Sequence, residues 1–408
     1  MLTTNDIIEF CNTHNYDIKK TGNARWIDQK CTFDVTMAIA DCILNFTENE
    51  PGKIFTTKDI WLCPYTVENI ENIFKKPDVS SNAAKNEYDK FFQQPMELFA
   101  AAGILGKIKK GGRNFYHVLN RNLLEYISLR EKNSLLFLQI YIEKTLKDSG
   151  IIDLFNDFFK GQNKDSYKNL KQGFSDFIIN NTPINGETEC NRIFIKVLNP
   201  LAYSKGLKGT EHGNLSKDNI TYDMLMYNRY NFRDTYSDKP KQITRKEHDK
   251  NSGLKYSTEA YYKYLSNKAV NYLKKFNNQY RDGLSEHIDE YNSGDAAQIH
   301  HIFPKSEFPE ISYCLENLIA LTPTQHLNFA HPKNKTDETC KSYQKLLLLS
   351  KTDRIKENIE NSEVETIYDF SEFLQVLKTG LNDERFLKIN TNDFEQIKFL
   401  INQNYSKY

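Results

Sequence analysis

The stretch from Gln298 to Pro332 constrains the fold more than any other part of this 408-residue chain. It opens with an extended pattern that ends in two adjacent histidines, His300 and His301, before Phe-Pro. A short apolar run at 317–321 predicts a second strand. Thr322-Pro323-Thr324-Gln325 then predicts a helix start, with Thr at the N-cap, Pro at the first position and Gln at the third. The predicted order is therefore strand, loop, strand, helix.

Histidines are concentrated in this stretch. Of the nine in the chain, four lie here: His300, His301, His326 and His331. Neighbouring residues of a strand point to opposite faces, so one histidine of the doublet can bind a metal while the other faces a substrate. A lone histidine is usually structural, but a doublet combined with Asn317, a capped helix and His326 is much rarer.

This arrangement resembles the HNH nucleases, also called the ββα-metal family. Their motif is Asp or His followed by His, then Asn, then His or Asn, and here it reads His300-His301, Asn317 and His326. The resemblance covers about 35 residues, and flanking segments such as NRIFIKVLNPLA and HPKNKT are similar to HNH-type restriction endonucleases. The resemblance implies hydrolysis of DNA phosphodiester bonds with one divalent metal ion per site, Mg²⁺, Mn²⁺ or a similar ion.

The resemblance also implies a role for each motif residue. His301 would be the general base, a task that suits an imidazole with an ordinary pKa near ~6.5. His300 and His326 would bind the metal. Asn317 would hold the loop and orient His301.

The sequence departs from the family pattern at two points. Colicin-type members carry another metal-binding histidine four residues after the helical one, whereas here His331 follows His326 by five. On an ideal α-helix that spacing is about 140° off the metal-facing side, so metal ligand, phosphate contact and surface residue stay open for His331. Cys314 and Cys340 belong to no Cys-x-x-Cys pair, so no structural zinc is expected.

The N-terminal part has a different signature. It is mainly helical up to about residue 150, with a helix predicted at 33–46. It is interrupted by alternating residues around Gly111-Gly112, which predict a β-hairpin. Lys107, Lys109, Lys110 and Arg113 make this hairpin basic. Helices followed by a basic hairpin are the order of a winged-helix DNA reader, although a solvated surface hairpin has the same pattern.

The sequence between 191 and 250 changes character and predicts loops over a scaffold. Its basic residues are interleaved with aromatic ones, which suits contacts to nucleic acid. Arg245 is the DNA-contact candidate there, while an irregular solvated surface fits equally well. Helical patterns are predicted for 130–160, as one long helix, for 261–282, and beyond about 345.

These features predict a helix-rich α+β protein in four parts. Residues 1–160 would form a winged-helix-like recognition domain, 161–290 a basic and aromatic connecting region, 291–345 the HNH core, and 346–408 a C-terminal helical region. The expected function is a type II restriction endonuclease acting on double-stranded DNA, with type IIS cleavage as one form. The alternatives are a homing or anti-phage HNH nuclease and a DNA-binding protein with a degenerate HNH module.

Composition limits partners and location. Lys+Arg and Asp+Glu balance at 54 each, so DNA would have to be attracted by local basic surfaces. The seven scattered cysteines, the absence of a recognisable signal segment and the short apolar runs predict a cytoplasmic protein with no membrane partner. Because the sequence has a single His-His doublet, cleavage of two antiparallel strands predicts a homodimer formed on DNA, or successive nicks.

Overall fold

The computed structural model describes residues 2–74, 76–80, 84–227, 258–330 and 340–406. The chain divides into two compact units, Met1–Lys255 and Tyr256–Tyr408. The division falls inside the region 161–290 that the sequence assigned to a connecting segment. The boundary expected near residue 160 lies within the first unit.

The first unit is mainly helical, with two β-hairpins among its described residues. Its elements are α1 (Thr4–Asn12), α2 (Ile18–Thr21), α3 (Phe33–Phe46), α4 (Thr57–Trp61), α5 (Pro64–Phe74), α6 (Ala84–Ala101), β1 (Leu105–Lys110), β2 (Arg113–Val118), α7 (Arg121–Leu129), α8 (Glu131–Asp148), α9 (Ile152–Gly161), α10 (Lys164–Asn181), α11 (Glu187–Ser204), β3 (Lys208–Glu211), β4 (Asn214–Asn219) and α12 (Tyr222–Leu225). Helix α3 has the bounds that its apolar spacing predicts. It is buried along nearly its whole length and packs against α7 and α8.

The predicted hairpin is confirmed. Strands β1 and β2 pair antiparallel from Leu105–Val118 to Lys110–Arg113. Gly111 and Gly112 form the turn with φ values of +56° and +76°, a conformation that glycine adopts without a Cβ clash. Phe55 makes one isolated antiparallel bridge to Tyr116 of β2.

Two sequence expectations for this unit are wrong. Residues 130–160 form two helices, α8 and α9, because Gly150 between them has φ +72°, which ends an α-helix. The expected loops after 191 are occupied by α11 and the β3–β4 hairpin up to residue 219. Apolar side chains on one face of α11, such as Ile193 and Val197, are buried despite the polar residues between them.

The second unit carries the histidine-rich stretch. Its elements are α13 (Thr258–Tyr280), β5 (Gln298–His301), two 3₁₀ turns (Pro309–Ile311 and Leu315–Asn317), β6 (Leu318–Leu321), a π-helix (Gln325–Ala330), α14 (Lys341–Glu360), α15 (Phe370–Leu381), a 3₁₀ turn (Glu384–Lys388) and α16 (Phe394–Asn404). Strands β5 and β6 pair antiparallel, with His300 opposite Ile319 and His301 opposite Leu318. The predicted order of strand, loop, strand and helix is therefore confirmed.

Strand β6 of the two-stranded sheet is buried against helices of its own unit. All four residues of β6 are buried, and α13 packs on both strands. Helix α14 packs on the π-helix and on α16. Burial of each large aliphatic side chain contributes about 1.5–3 kcal/mol, so the sheet is fixed by its packing and not by its few ladder hydrogen bonds. Among the described helices, none is long and apolar enough to cross a membrane.

Candidate active site

The two histidines of the doublet make separate sets of contacts, as their alternation along β5 requires. His300 is 4% exposed and meets the ring of His326, with the centroids 5.2 Å apart and the planes at 76°. His301 is half-buried and turns instead toward α13 and the loop that follows β5. The structure thus brings His300 and His326 together and leaves His301 with a different environment.

The rings of His300 and His326 are close enough for both to bind one divalent cation. One ion bound at about 2.1 Å by a nitrogen of each ring would place the centroids roughly 5 Å apart, which matches the separation here. Within the described ranges, no group of three or more His, Cys, Asp or Glu side chains is placed to hold a metal ion.

The protonated nitrogen of His301 follows from its partners. The Nε2 atom lies 3.1 Å from the carbonyl oxygen of Ser312 and 3.0 Å from the hydroxyl oxygen of Ser266. A carbonyl oxygen can only accept, so Nε2–H donates to Ser312, which leaves the Nδ1 lone pair to take up a proton. Burial lowers the pKa of His301 to about 4, and the positive charge of Lys305 acts in the same direction. The ring is therefore neutral at neutral pH, as a general base must be.

Asn317 is completely buried and bridges the loop that follows the doublet. Its Oδ1 accepts from the backbone N–H of Phe303 at 2.8 Å. Its Nδ2 donates to the carbonyl oxygens of Phe303 at 3.0 Å and Ile311 at 3.2 Å. These contacts close the loop between His301 and Ser312, so Asn317 is placed to set the distance between the ring and its carbonyl partner.

The predicted capping box is confirmed at the start of the helix that carries His326. The Thr322 hydroxyl accepts from the Gln325 N–H at 3.2 Å, and the Gln325 side chain accepts from the Thr322 N–H at 3.1 Å. The helix then continues with π-type bonding over Gln325–Ala330. The angle of about 140° expected for His331 assumed an ideal α-helix, whereas the bonds of a π-helix join residues five apart. His331 itself lies outside the described residues.

The basic hairpin lies in the other unit, and its four cations differ in environment. Lys107 forms an ion pair with Glu97 of α6 at 2.6 Å, and Glu97 also accepts from Tyr116 and Asn114. Lys107 is thus a structural partner of α6. Lys109, Lys110 and Arg113 are exposed at the hairpin tip. Arg245, the other candidate DNA contact, lies outside the described residues.

Several contributors to the site were missed in the sequence. Ser266 and Ser312 contact His301, and residues 285–289 contact the helix of His326. Serines and backbone carbonyls carry no motif of their own, and these partners are up to 40 residues from the groups they hold. Only the tertiary fold brings them together.

Comparisons with protein-family models, with curated proteins and with solved structures found no match for this chain. The resemblance to the HNH nucleases that the sequence predicts therefore rests on the motif residues alone.

Proposed function

We propose that the chain is a metal-dependent DNA endonuclease of the HNH type. The observation that carries the proposal is that the two histidines of the doublet have different contacts. His300 meets His326, while His301 is held through Nε2 by a backbone carbonyl with its Nδ1 left as the base. A histidine pair suited to a cation, next in sequence to a neutral and oriented imidazole, would supply the charge stabilisation and the general base that hydrolysis of a phosphodiester uses.

In the proposed reaction, a water molecule attacks the phosphorus and the bond to the 3′ oxygen breaks. His301 takes the proton of the attacking water at Nδ1, and the Ser312 carbonyl stabilises the imidazolium that results, because Nε2–H remains its donor. A divalent cation held by His300 and His326 would supply charge stabilisation on the phosphate and the leaving oxygen. Asn317 keeps the loop, and with it the His301 ring, in one orientation.

The direct test is cleavage of plasmid DNA by the purified full-length chain with Mg²⁺ or Mn²⁺, followed by sequencing of the ends. We expect cuts at defined sites, loss of cleavage on chelation, and either nicked circles first or a rate that rises faster than linearly with protein concentration. Protection of the sites by base methylation would favour a restriction enzyme over other HNH nucleases. Sequence-specific binding without cleavage, with any divalent cation, would contradict the proposal and favour the non-catalytic alternative.

For the first unit, we propose sequence recognition of double-stranded DNA by a winged-helix-like arrangement. The support is the order of its elements: helix α3, the isolated bridge at Phe55, helices α4 to α6, then the hairpin. The exposed cations at the hairpin tip would lie along phosphates. A reading unit and a cutting unit on one chain would permit type IIS cleavage at a distance from the recognition site.

Replacement of Lys109 and Arg113 by Ala should weaken DNA binding and flatten its salt dependence. Each phosphate that is no longer neutralised should reduce the slope of log K against log[salt] by about 0.9. The measurement is fluorescence anisotropy on one duplex over a salt series. Lys107→Ala is the matched control from the same strand. Because Lys107 pairs with Glu97, the Lys107→Ala variant should be less stable than the wild type, and its salt slope should change less than that of the double variant. Equal slopes for the double variant and the wild type would show that the hairpin tip is solvated surface that does not contact DNA.

A further inference from the structure

The side-chain amide of Gln325, the residue that precedes His326, uses its whole hydrogen-bonding capacity. Gln325 is fully buried. Its Oε1 accepts from the Ser285 hydroxyl at 2.7 Å and from the Thr322 N–H at 3.1 Å. Its Nε2 donates to the His287 carbonyl at 3.0 Å and to the Asp289 carboxylate at 2.7 Å. A backbone N–H can only donate and a carbonyl can only accept, so this orientation of the amide is fixed.

Three of these four partners belong to one segment, Ser285–Asp289, which is itself anchored to β6. The Glu286 N–H donates to the Ala320 carbonyl at 2.9 Å, and the Glu286 carboxylate accepts from the Ala320 N–H at 2.8 Å. These bonds occupy the edge of β6 that does not face β5. The fully buried ammonium of Lys351 lies 3.2 Å from the same carboxylate. The segment is therefore anchored to β6 and to α14.

Asp289 is held in turn by groups of its own unit. His287 Nε2 lies 3.4 Å from its carboxylate, and the Tyr343 hydroxyl lies at 3.5 Å. His287 Nδ1 is within 2.8 Å of the Ser350 hydroxyl on α14. The Asp289 carboxylate, which accepts a hydrogen bond from Gln325, is thus also held by residues of α14.

We propose that Gln325 is a positioning residue for the metal-binding pair, and that Ser285–Asp289 is the support on which it acts. This inference rests on the proposed function. The Gln325 amide locks the first turn of the helix against β6 and the segment Ser285–Asp289, and the next residue of that turn is His326. Since His300 lies on β5, which pairs with β6, this lock sets the separation of the two imidazoles.

Gln325→Glu tests this role with almost no change of shape. The carboxylate can still accept from Ser285 and Thr322, but it offers no donor to the His287 carbonyl and repels Asp289. We expect the Mn²⁺ affinity, measured by calorimetry on the full-length chain without DNA, to fall by about 10- to 100-fold. The loss of a residue that holds a metal ligand in place usually has an effect of about this size. Gln396→Glu, an exposed glutamine on α16, adds the same charge and should leave the affinity unchanged.

A second pair of variants separates positioning from a loss of folding. In the double variant Gln325→Glu with Asp289→Asn, the asparagine amide can donate to the new carboxylate, so part of the affinity should return. If Gln325→Glu does not fold, Ser285→Ala takes its place. It removes one of the four bonds to the amide, together with the bond from the His287 N–H to the Ser285 hydroxyl, and should lower the affinity about fivefold. Thermal unfolding of each variant reports the folded fraction.

The outcomes distinguish this inference from the proposed function. If His326→Ala abolishes Mn²⁺ binding while folded Gln325→Glu and Ser285→Ala bind as the wild type does, the metal site stands and the positioning role is overturned. If the wild type binds no Mn²⁺, both are overturned. Loss of affinity in Gln325→Glu, partial return in the double variant and no change in Gln396→Glu would establish the role.

Discussion

His301→Ala is expected to lower the rate of DNA cleavage by about 10² to 10⁴, the usual contribution of a positioned general base. The ring accepts the proton of the attacking water at Nδ1, and alanine has no group that can replace it. His301 is half-buried at the end of β5, and it lies beside the histidine pair and not within it. Mn²⁺ affinity and sequence-specific DNA binding should therefore be retained.

Single-turnover cleavage of a short duplex measures this effect without a contribution from product release. His212→Ala is a suitable control, because His212 is 83% exposed in a turn of the first unit and should be dispensable. Restoration of part of the rate by added imidazole would identify the missing group as a base and not as a packing residue. Near-normal turnover by His301→Ala at pH 7 would remove this histidine from the mechanism.

The parts of the fold that could be predicted are those that local chemistry determines. The Gly111-Gly112 turn requires positive φ at two successive positions, and both glycines adopt it. Thr322 and Gln325 form their capping box within four residues of chain. The strand positions of His300 and His301 follow from alternation, which is a property of the nearest neighbours alone.

The parts that could not be predicted depend on partners far away in the chain. Lys107 has the sequence pattern of a free hairpin cation, but α6 brings Glu97 within 2.6 Å of its ammonium group. In helix α11, polar residues lie between the apolar residues of the buried face, so loops and not a helix were predicted there. The boundary between the units falls at 255, near the end of the stretch 191–250, whose change of character predicted a connecting region and not a boundary.

The same distinction holds within the candidate site. The motif residues were predicted from order and spacing, and the contacts that orient them were not. The partner of His301 is a backbone carbonyl, which every residue possesses, so no side-chain pattern points to Ser312. Three of the four partners of Gln325 lie on a segment that precedes β5, and only the pairing of that segment with the edge of β6 brings them near.

Asn317→Asp is expected to reduce cleavage by about 10- to 100-fold in the molecules that remain folded. The substitution keeps the shape and the acceptor for the Phe303 N–H, but the Phe303 and Ile311 carbonyls lose their donor and face a buried carboxylate. A buried charge without a partner costs about 3–5 kcal/mol, so the second unit should also unfold at a lower temperature. His301 and Ser312 lie at the two ends of the loop that Asn317 closes, and their hydrogen bond should lengthen when it opens.

Asn358→Asp separates this effect from stability alone. Asn358 is also buried in the second unit, and its amide likewise accepts from a backbone N–H, that of Ile367, and donates to a carbonyl, that of Glu365. Its replacement should destabilise the unit to a similar extent but leave the cleavage rate per folded molecule unchanged, because it holds no loop at the doublet. Mn²⁺ affinity should change less than cleavage in Asn317→Asp, since neither His300 nor His326 lies on the loop between residues 302 and 316. Equal cleavage rates per folded molecule in the two variants would reduce Asn317 to a contributor to stability.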